Sequence, residues 1–148
     1  MPKHSLYFSA QIFEKLDVDQ DGPEGLSARV SQLCDTAIEV LKDNAPAMPL
    51  KEWQAMLSIL NGAMHPHEFG VRGAADSVYF SILESGPDVN EQFGVDAVDM
   101  AKRFKALPLV SQLAIVEVCR RFWVRKDINE RFQSYRDMLD AHGAKFTD

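Results

Sequence analysis

The segment LVSQLAIVEVCRRFW, residues 109–123, constrains the fold more than any other part of the chain. Its apolar residues fall on nearly every side of a helix, whereas a helix at a protein surface has one apolar stripe. Other elements must therefore cover this helix over most of its circumference. The sequence predicts a domain in which residues 109–123 form the central helix.

The segments on both sides have the periodicity of surface helices. From residue 26 to residue 41, apolar residues recur at the i, i+4, i+7, i+8 spacing of one helix face. This stripe consists of Leu26, Val30, Leu33, Cys34, Ala37 and Leu41. A second helix is predicted between Pro49 and the pair Asn61-Gly62, because proline favours the first turn of a helix and Asn-Gly favours a stop. Its predicted buried face consists of Trp53, Met56, Leu57 and Leu60.

Three further helices are predicted, over residues 73–85, 94–107 and 128–143. Gly86-Pro87 and Pro108 are expected to end the first two, since proline cannot continue a helix. In this interpretation, the acidic pair Asp96 and Asp99 marks a helix start. The last helix has a predicted apolar stripe of Ile128, Phe132, Tyr135 and Leu139, with Gly143 as its C-cap.

The composition is that of a globular protein, with 148 residues of which 46% are hydrophobic and 26% charged. A chain of this size can bury one core, so we expect a single, mainly α, compact multi-helix domain over residues 1–148. Cys34 and Cys119 are expected to be small core residues. The chain has no run of eighteen apolar residues, and its first residues do not resemble a signal peptide, so we expect a cytoplasmic protein.

The stretch DVDQDG looks like the start of a calcium-binding loop. Asp17, Asp19, Asp21 and Gly22 occupy the positions of the first ligands and of the turn. The position of the closing bidentate glutamate is occupied by Ala28, which has no side-chain oxygen. We therefore expect a polar turn between two helices.

A second group of metal-ligand types occurs at His65, His67 and Glu68. Imidazole and carboxylate groups bind zinc, but a complete site needs further ligands, and the sequence has no HExxH motif. A solvated loop between helices is the expected structure. We expect no metal site and no cofactor.

The first residues differ in pattern from the rest. KHSLYFS, residues 3–9, alternates apolar and polar side chains, and a short helical segment, a glycine-containing loop and the long helix from Leu26 follow it. This order of elements resembles the ribbon-helix-helix family of DNA-binding proteins over residues 3–43. The resemblance implies one short N-terminal strand that pairs with the same strand of a second chain, and residues 48–148 would be a helical region.

In that family, the paired strands enter the major groove of DNA and the second helix holds a phosphate at its N-terminus. The resemblance implies a homodimer with Leu6 and Phe8 in its core. The groups that would face DNA are Lys3, Ser5 and Tyr7, and the backbone amides near Leu26 and Ser27. Residues 1–45 contain four Lys or Arg against eight Asp or Glu, a charge that opposes DNA binding.

Cations concentrate near the C-terminus in what we call the basic cluster: Arg120, Arg121, Arg125, Lys126, Arg131 and Arg136. Residues 120–136 have a net charge of about +4, in a chain whose net charge is -6. Phe122, Trp123, Phe132 and Tyr135 are interleaved with these cations. The segment could bind an acidic protein surface, or a phosphate backbone with bases stacked on the rings. Alternatively, the rings belong to the core and the arginines pair with acidic residues, for example Arg131 with Asp127.

No nucleophile motif, P-loop or glycine-rich dinucleotide turn occurs, so we do not expect an enzyme. Two hypotheses follow. The first is a small, acidic regulatory or inhibitory protein that binds a protein partner in part through the basic cluster, and proteins that handle nucleic acid are among the candidate partners. The second is a dimeric ribbon-helix-helix transcriptional regulator that binds double-stranded DNA. The charge favours the first and the order of elements the second.

Overall fold

The computed structural model describes residues 26–61 and 70–148, and these residues are mainly helical. The helices in this part of the chain are α1 (Leu26–Asn44), α2 (Leu50–Ile59), α3 (Gly70–Glu84), α4 (Gly86–Phe93), α5 (Ala97–Ala106), α6 (Leu109–Val124), α7 (Lys126–Asn129) and α8 (Tyr135–Ala141). Two strands, β1 (Ala47–Met48) and β2 (Lys145–Phe146), form a small sheet. The predicted mainly α, multi-helix fold is confirmed, whereas the predicted N-terminal strand lies outside the described residues.

The chain divides into two compact units, residues 1–40 and residues 41–148. In the first unit, the described residues are the first fifteen of α1. The second unit contains all the other elements and the hydrophobic core. None of the helices in the described ranges has both the length and the hydropathy needed to cross a bilayer.

Helix α6 lies at the centre of the second unit, as predicted. Eight of its sixteen residues are buried, from Ser111 to Phe122. The buried Gln112 side chain donates from Nε2 to the main-chain carbonyls of Phe104, Lys105 and Leu107, at 3.0, 3.2 and 3.1 Å. Because the last carbonyls of a helix have no partner within it, Gln112 satisfies the end of α5.

The two strands connect the C-terminal residues to the start of α2. β1 and β2 are parallel, with Ala47 opposite Lys145 and Met48 opposite Phe146. Trp53, which is fully buried on α2, donates from its indole nitrogen to the carbonyl oxygen of Lys145 at 2.8 Å. The predicted buried face of α2 is confirmed, since Trp53, Met56, Leu57 and Leu60 are all buried.

The prediction of one continuous helix over residues 128–143 is wrong. α7 ends at Asn129 and α8 begins at Tyr135. Ser134 caps α8, because its hydroxyl accepts from the Asp137 amide at 3.1 Å and donates to the Asp137 carboxylate at 2.7 Å. The expected stripe is consequently divided: Leu139 is buried, whereas Phe132 and Tyr135 are exposed.

The predicted end of α8 at Gly143 is confirmed. Gly143 has a positive φ of 95°. Its amide donates to the Asp140 carbonyl at 2.9 Å, and the Ala144 amide donates to the Leu139 carbonyl at 3.0 Å. This pair of hydrogen bonds is the Schellman arrangement, which uses a left-handed residue after the last helical turn.

Gly86 and Pro87 do not only end α3, because they also begin α4, a helix that the sequence analysis missed. Proline is tolerated in the first turn of a helix, where its missing N–H has no intrahelical acceptor. α4 ends at Gly94, which has a left-handed φ of 63°. Asp96 then caps α5 by accepting from the Asp99 amide at 3.1 Å, so the interpretation of these two acids as helix-start residues is confirmed.

Helix α1 forms as predicted, but none of its residues is buried. Cys34 is exposed, and the expectation that it is a core residue is wrong, whereas Cys119 is fully buried as expected. An apolar stripe predicts that a segment is helical, but it does not specify what covers the stripe. Burial in apolar surroundings raises the pKa of the Cys119 thiol, so this thiol stays protonated.

Candidate functional site

A groove with three aromatic residues in its walls is the candidate site. We call it the aromatic groove; it has a volume of about 380 Å³ and is lined by Gln54, Leu57, Ser58, Asn61, Gln92, Phe93, Trp123 and Tyr135. One wall comes from a single helix face, since residues 54, 57, 58 and 61 follow the i, i+3, i+4, i+7 spacing. The other walls come from the end of α4, the end of α6 and the start of α8.

Hydrogen bonding and ring packing hold two of the three aromatic side chains. Trp123 donates from its indole nitrogen to the Leu57 carbonyl at 3.0 Å. The rings of Trp123 and the buried Phe122 meet edge to face, with centroids 5.4 Å apart. Tyr135 stacks on the other side of this contact, 6.0 Å from Phe122 with 12° between the ring planes. The groove therefore presents aromatic surface that is fixed before any ligand binds.

The polar side chains of the groove form no hydrogen bonds with the part of the chain that the structure describes. Among the described residues, the side-chain amides of Gln54, Asn61 and Gln92 make no hydrogen bond, and neither does the Tyr135 hydroxyl. Each amide offers two N–H donors and a carbonyl acceptor. An uncharged polar ligand can therefore form hydrogen bonds in the groove without displacing an intramolecular partner.

Three cations of the basic cluster are paired locally. Arg120 donates from Nε and Nη2 to the two carboxylate oxygens of Glu117, at 2.9 and 2.6 Å. Arg125 donates from Nε and Nη2 to the two carboxylate oxygens of Asp127, at 3.0 Å in both cases. The hydrogen bonds from Arg125 lower the pKa of the Asp127 carboxyl group. Arg136 lies over the Phe146 ring, 4.5 Å from its centroid, and also donates to the main-chain carbonyl of Asp148.

The predicted pair between Asp127 and Arg131 is replaced by the pair between Asp127 and Arg125. The reason is that α7 ends at Asn129, so residues 127 and 131 do not share a helix face. The side chains of the remaining cations, Arg121, Lys126 and Arg131, make no hydrogen bond or ion pair with another described residue. Lys126 and Arg131 belong to the segment that connects Trp123 to Tyr135, and Arg121 lies at the end of α6 just before it.

The interleaved aromatic residues divide between the two predicted roles. Phe122 belongs to the core, whereas Trp123 and Tyr135 line the groove and Phe132 is 37% exposed. Sequence analysis missed the other groove residues. The spacing of Gln54, Ser58 and Asn61 on one face of α2 is a signal that could have found one wall, but the wall from α4 depends on a helix that was not predicted.

The other predicted site residues have different outcomes. Leu26 and Ser27 are the first two residues of α1. Lys3, Ser5, Tyr7 and the ribbon core residues Leu6 and Phe8 lie outside the described residues, as do the Asp17–Asp21 turn and the His65/His67 pair. Over residues 26–61 and 70–148, no group of three or more His, Cys, Asp or Glu side chains is placed to hold a metal ion.

Comparison of the chain with protein-family models, with curated proteins and with solved structures found no match.

Proposed function

We propose that this protein is a small regulatory or inhibitory protein that acts by binding a protein partner, and that the aromatic groove receives an extended peptide segment of this partner. The observation that carries the proposal is the combination of unused side-chain amides with aromatic walls. An extended peptide exposes one N–H and one C=O per residue, which the amides of Gln54, Asn61 and Gln92 can pair. The aromatic walls can cover an apolar side chain of the same segment.

The charge around the groove favours a segment with acidic residues beside its apolar anchor. Arg121, Lys126 and Arg131 form no close ion pair with a carboxylate of the described residues, so acidic side chains of a partner can pair with them. Pairs of this kind are exposed to solvent, and they increase the association rate and the specificity more than the affinity. Binding should therefore weaken as the salt concentration rises.

The composition of the groove supports binding in preference to catalysis. Among the described residues, its lining contains no His, Cys, Lys, Asp or Glu, so Ser58 and Tyr135 have no basic side chain beside them in the lining. General acid-base catalysis needs a titratable group within hydrogen-bond reach of the reacting atoms, and nucleophilic catalysis needs a nucleophile next to a base. We therefore propose a role without catalysis.

Peptide selection with the full-length protein tests this proposal. We expect the selected peptides to contain an apolar or aromatic residue flanked by Asp or Glu. Tyr135→Ala should weaken binding of a selected peptide at least about tenfold, because truncation of an aromatic hot spot at an interface typically costs about 2 kcal/mol or more. Phe132→Ala is the matched control, because Phe132 is exposed but does not line the groove. Calorimetric titration measures both affinities.

Charge reversal provides the second arm of the experiment. Arg131→Glu and Lys102→Glu change the net charge equally, but Lys102 is an exposed residue of α5 outside the groove. Arg131→Glu should reduce the association rate severalfold at low salt, and Lys102→Glu should change it less. Equal losses in both variants, or selected peptides whose binding is unaffected by Tyr135→Ala, would contradict the groove as the binding site.

A dimeric ribbon-helix-helix DNA-binding regulator is the second candidate. The feature that favours it is the order of elements over residues 3–43, in which α1 covers the position of the second helix of the family. Under this candidate, the protein is a homodimer, and replacing Lys3, Ser5 and Tyr7 together by alanine abolishes binding to duplex DNA. Light scattering at several concentrations and duplex titration at low salt measure these properties. A stable monomer without duplex affinity would eliminate this candidate.

A further inference from the structure

A second cavity, separate from the aromatic groove, lies between β1, α2, α5 and α6. It has a volume of about 280 Å³ and is almost entirely apolar. One methionine comes from each of three elements: Met48 from β1, Met56 from α2 and Met100 from α5. All three are buried, with 8%, 1% and 3% of their surface exposed. We call this cavity the methionine pocket.

Among the described residues that line the methionine pocket, Arg103 is the charged one. Its Nη1 and Nη2 atoms donate to the two carboxylate oxygens of Glu52, at 3.1 and 2.5 Å, and its Nε atom donates to Asp99 at 2.8 Å. These hydrogen bonds raise the pKa of Arg103, which is already cationic at any ordinary pH. The Glu52 side chain is 9% exposed and that of Arg103 is 50% exposed, so the first two contacts are shielded from water on the Glu52 side.

Not all N–H donors of the Arg103 side chain are used among the described residues. A guanidinium group has five N–H donors, of which three are used here. One N–H on each terminal nitrogen has no acceptor among the described residues, and Arg103 lines the pocket. Since two carboxylates contact one guanidinium, the three groups together have a net charge of -1. An acceptor that is itself an anion would therefore be repelled, whereas an uncharged oxygen would not.

From these observations, we propose that the methionine pocket binds a neutral, largely apolar small molecule with one uncharged acceptor oxygen. The apolar part would lie among the three methionines, whose flexible side chains adapt to the shape of a ligand. The oxygen would accept from Arg103. An ammonium group is disfavoured in the same position because it has only donors, as Arg103 has.

The volume of the pocket limits the size of the ligand. An apolar cavity of about 150 Å³ accommodates benzene, which has six non-hydrogen atoms. In proportion, a pocket of about 280 Å³ accommodates about eleven non-hydrogen atoms. Methyl octanoate and nonanoate both have this size, and they differ at the oxygen-bearing end, which is neutral in the ester and anionic in the acid. They are therefore a matched pair of probes.

The test is a titration of the full-length protein, labelled with carbon-13 at its methionine methyl groups. Methyl octanoate should shift the resonances of Met48, Met56 and Met100, assigned through single Met→Leu variants, and should leave that of Met138, which does not line the pocket, unchanged. Nonanoate should bind at least tenfold more weakly. Absence of shifts at the three methionines, or equal binding of both probes, would overturn the proposal.

Two variants test the site further. Ala106 is an exposed lining residue at the end of α5, and Ala106→Trp should obstruct the pocket and weaken binding of methyl octanoate at least tenfold. Unchanged affinity in this variant would place the ligand elsewhere and overturn the proposal.

The second variant, Asp99→Asn, removes one carboxylate from an exposed position, so it should reduce the difference in affinity between the two probes. An undiminished difference would show that the charge balance at Arg103 does not select the ligand. The experiment uses neither a peptide nor the aromatic groove, so its outcome is independent of the proposed function.

Discussion

Replacing Trp53 by alanine is expected to lower the free energy of unfolding by about 5 kcal/mol. Removing a buried tryptophan from a core typically costs 3 to 5 kcal/mol, because the apolar surface is lost and a cavity remains. The Lys145 carbonyl also loses its 2.8 Å hydrogen bond, at a cost of about 1 kcal/mol. Since small domains are stable by about 5 to 15 kcal/mol, this variant should be close to unfolded at room temperature.

The position of Trp53 explains why this effect should be large. α2 contacts α3, α4, α6 and α8, so the Trp53 side chain is surrounded by helices that are distant in sequence. Its indole N–H connects α2 to β2 over 92 residues of chain. Removing it should therefore loosen the attachment of the C-terminal residues as well as the core.

Urea denaturation followed by circular dichroism measures this loss, with Trp53→Phe as the graded control. Phenylalanine keeps a buried ring but has no N–H, so this variant should lose about 2 kcal/mol. A loss below about 2 kcal/mol for Trp53→Ala would mean that neither the burial of Trp53 nor its hydrogen bond to β2 contributes as the structure indicates.

The burial of a helix could be predicted from the sequence where its own apolar residues show which of its faces must be covered. α6 is apolar on nearly every side, and a segment of this kind has a stable position only in the interior. The buried face of α2 follows from four apolar residues at helical spacing between two strong boundary signals. In α1 the same kind of pattern predicted the helix but not its exposure, because the partner of an apolar stripe is a tertiary property. Cys34 is exposed for that reason.

The break between α7 and α8 shows where local chemistry overrides periodicity. The apolar stripe continues at helical spacing from Ile128 to Leu139, which favours one helix. Ser134 and Asp137 form a capping pair, and a cap satisfies amides that otherwise have no partner at a helix start. The S-x-x-D spacing was visible in the sequence, but a periodic stripe and a cap are competing signals, and packing decides between them.

The aromatic groove could be predicted only in part, since its walls come from four helices. The basic cluster is visible in the sequence, but the sequence does not separate those of its members that pair with carboxylates from those that do not. Pairing depends on side-chain geometry at the helix ends, as with Arg125, which contacts Asp127 only because α7 begins directly after α6. Arg121, Lys126 and Arg131 are distinguished from the other cations by that geometry.

The stability of the protein should fall as the pH decreases below neutrality, and His142 should account for part of this fall. His142 is 1% exposed, and its Nε2 atom lies 2.6 Å from the Asn129 side-chain oxygen. The Asn129 amide nitrogen donates to the Phe122 carbonyl at 2.8 Å, which fixes the amide orientation. Nε2 must therefore carry the proton, and Nδ1 is a buried acceptor without a hydrogen-bond partner among the described residues.

Protonation of His142 in the folded protein is unfavourable. It would create a buried N–H without an acceptor, in a cationic ring beside Arg121 and Arg125. Burial is the main cause that lowers the pKa of His142, and these two arginines lower it further, whereas Asp127 acts in the opposite direction. The Phe122 ring meets the His142 ring edge to face, with the centroids 6.0 Å apart, and it has no negative charge that could stabilise a cationic imidazole.

The direction of the pH effect follows from proton linkage. The pKa of an unfolded histidine is about 6.5, and that of folded His142 is lower. As the pH falls through about 6.5, the unfolded chain binds a proton that the folded protein does not bind, so the free energy of unfolding decreases. The loss continues until the pH reaches the folded pKa. One histidine contributes a slope of at most about 1.4 kcal/mol per pH unit.

His142→Gln isolates this contribution, because glutamine can donate to Asn129 but does not titrate. Urea denaturation between about pH 7.5 and about pH 5 should give a steeper decrease for the wild-type protein than for the variant. The histidines at positions 4, 65 and 67 are present in both proteins, so their titration cancels in the difference. Parallel curves would mean that the imidazole accepts a proton in the folded state as readily as in the unfolded chain. In that case the protonated Nδ1 must donate to an acceptor or to water. His142 would then not be buried and neutral in solution.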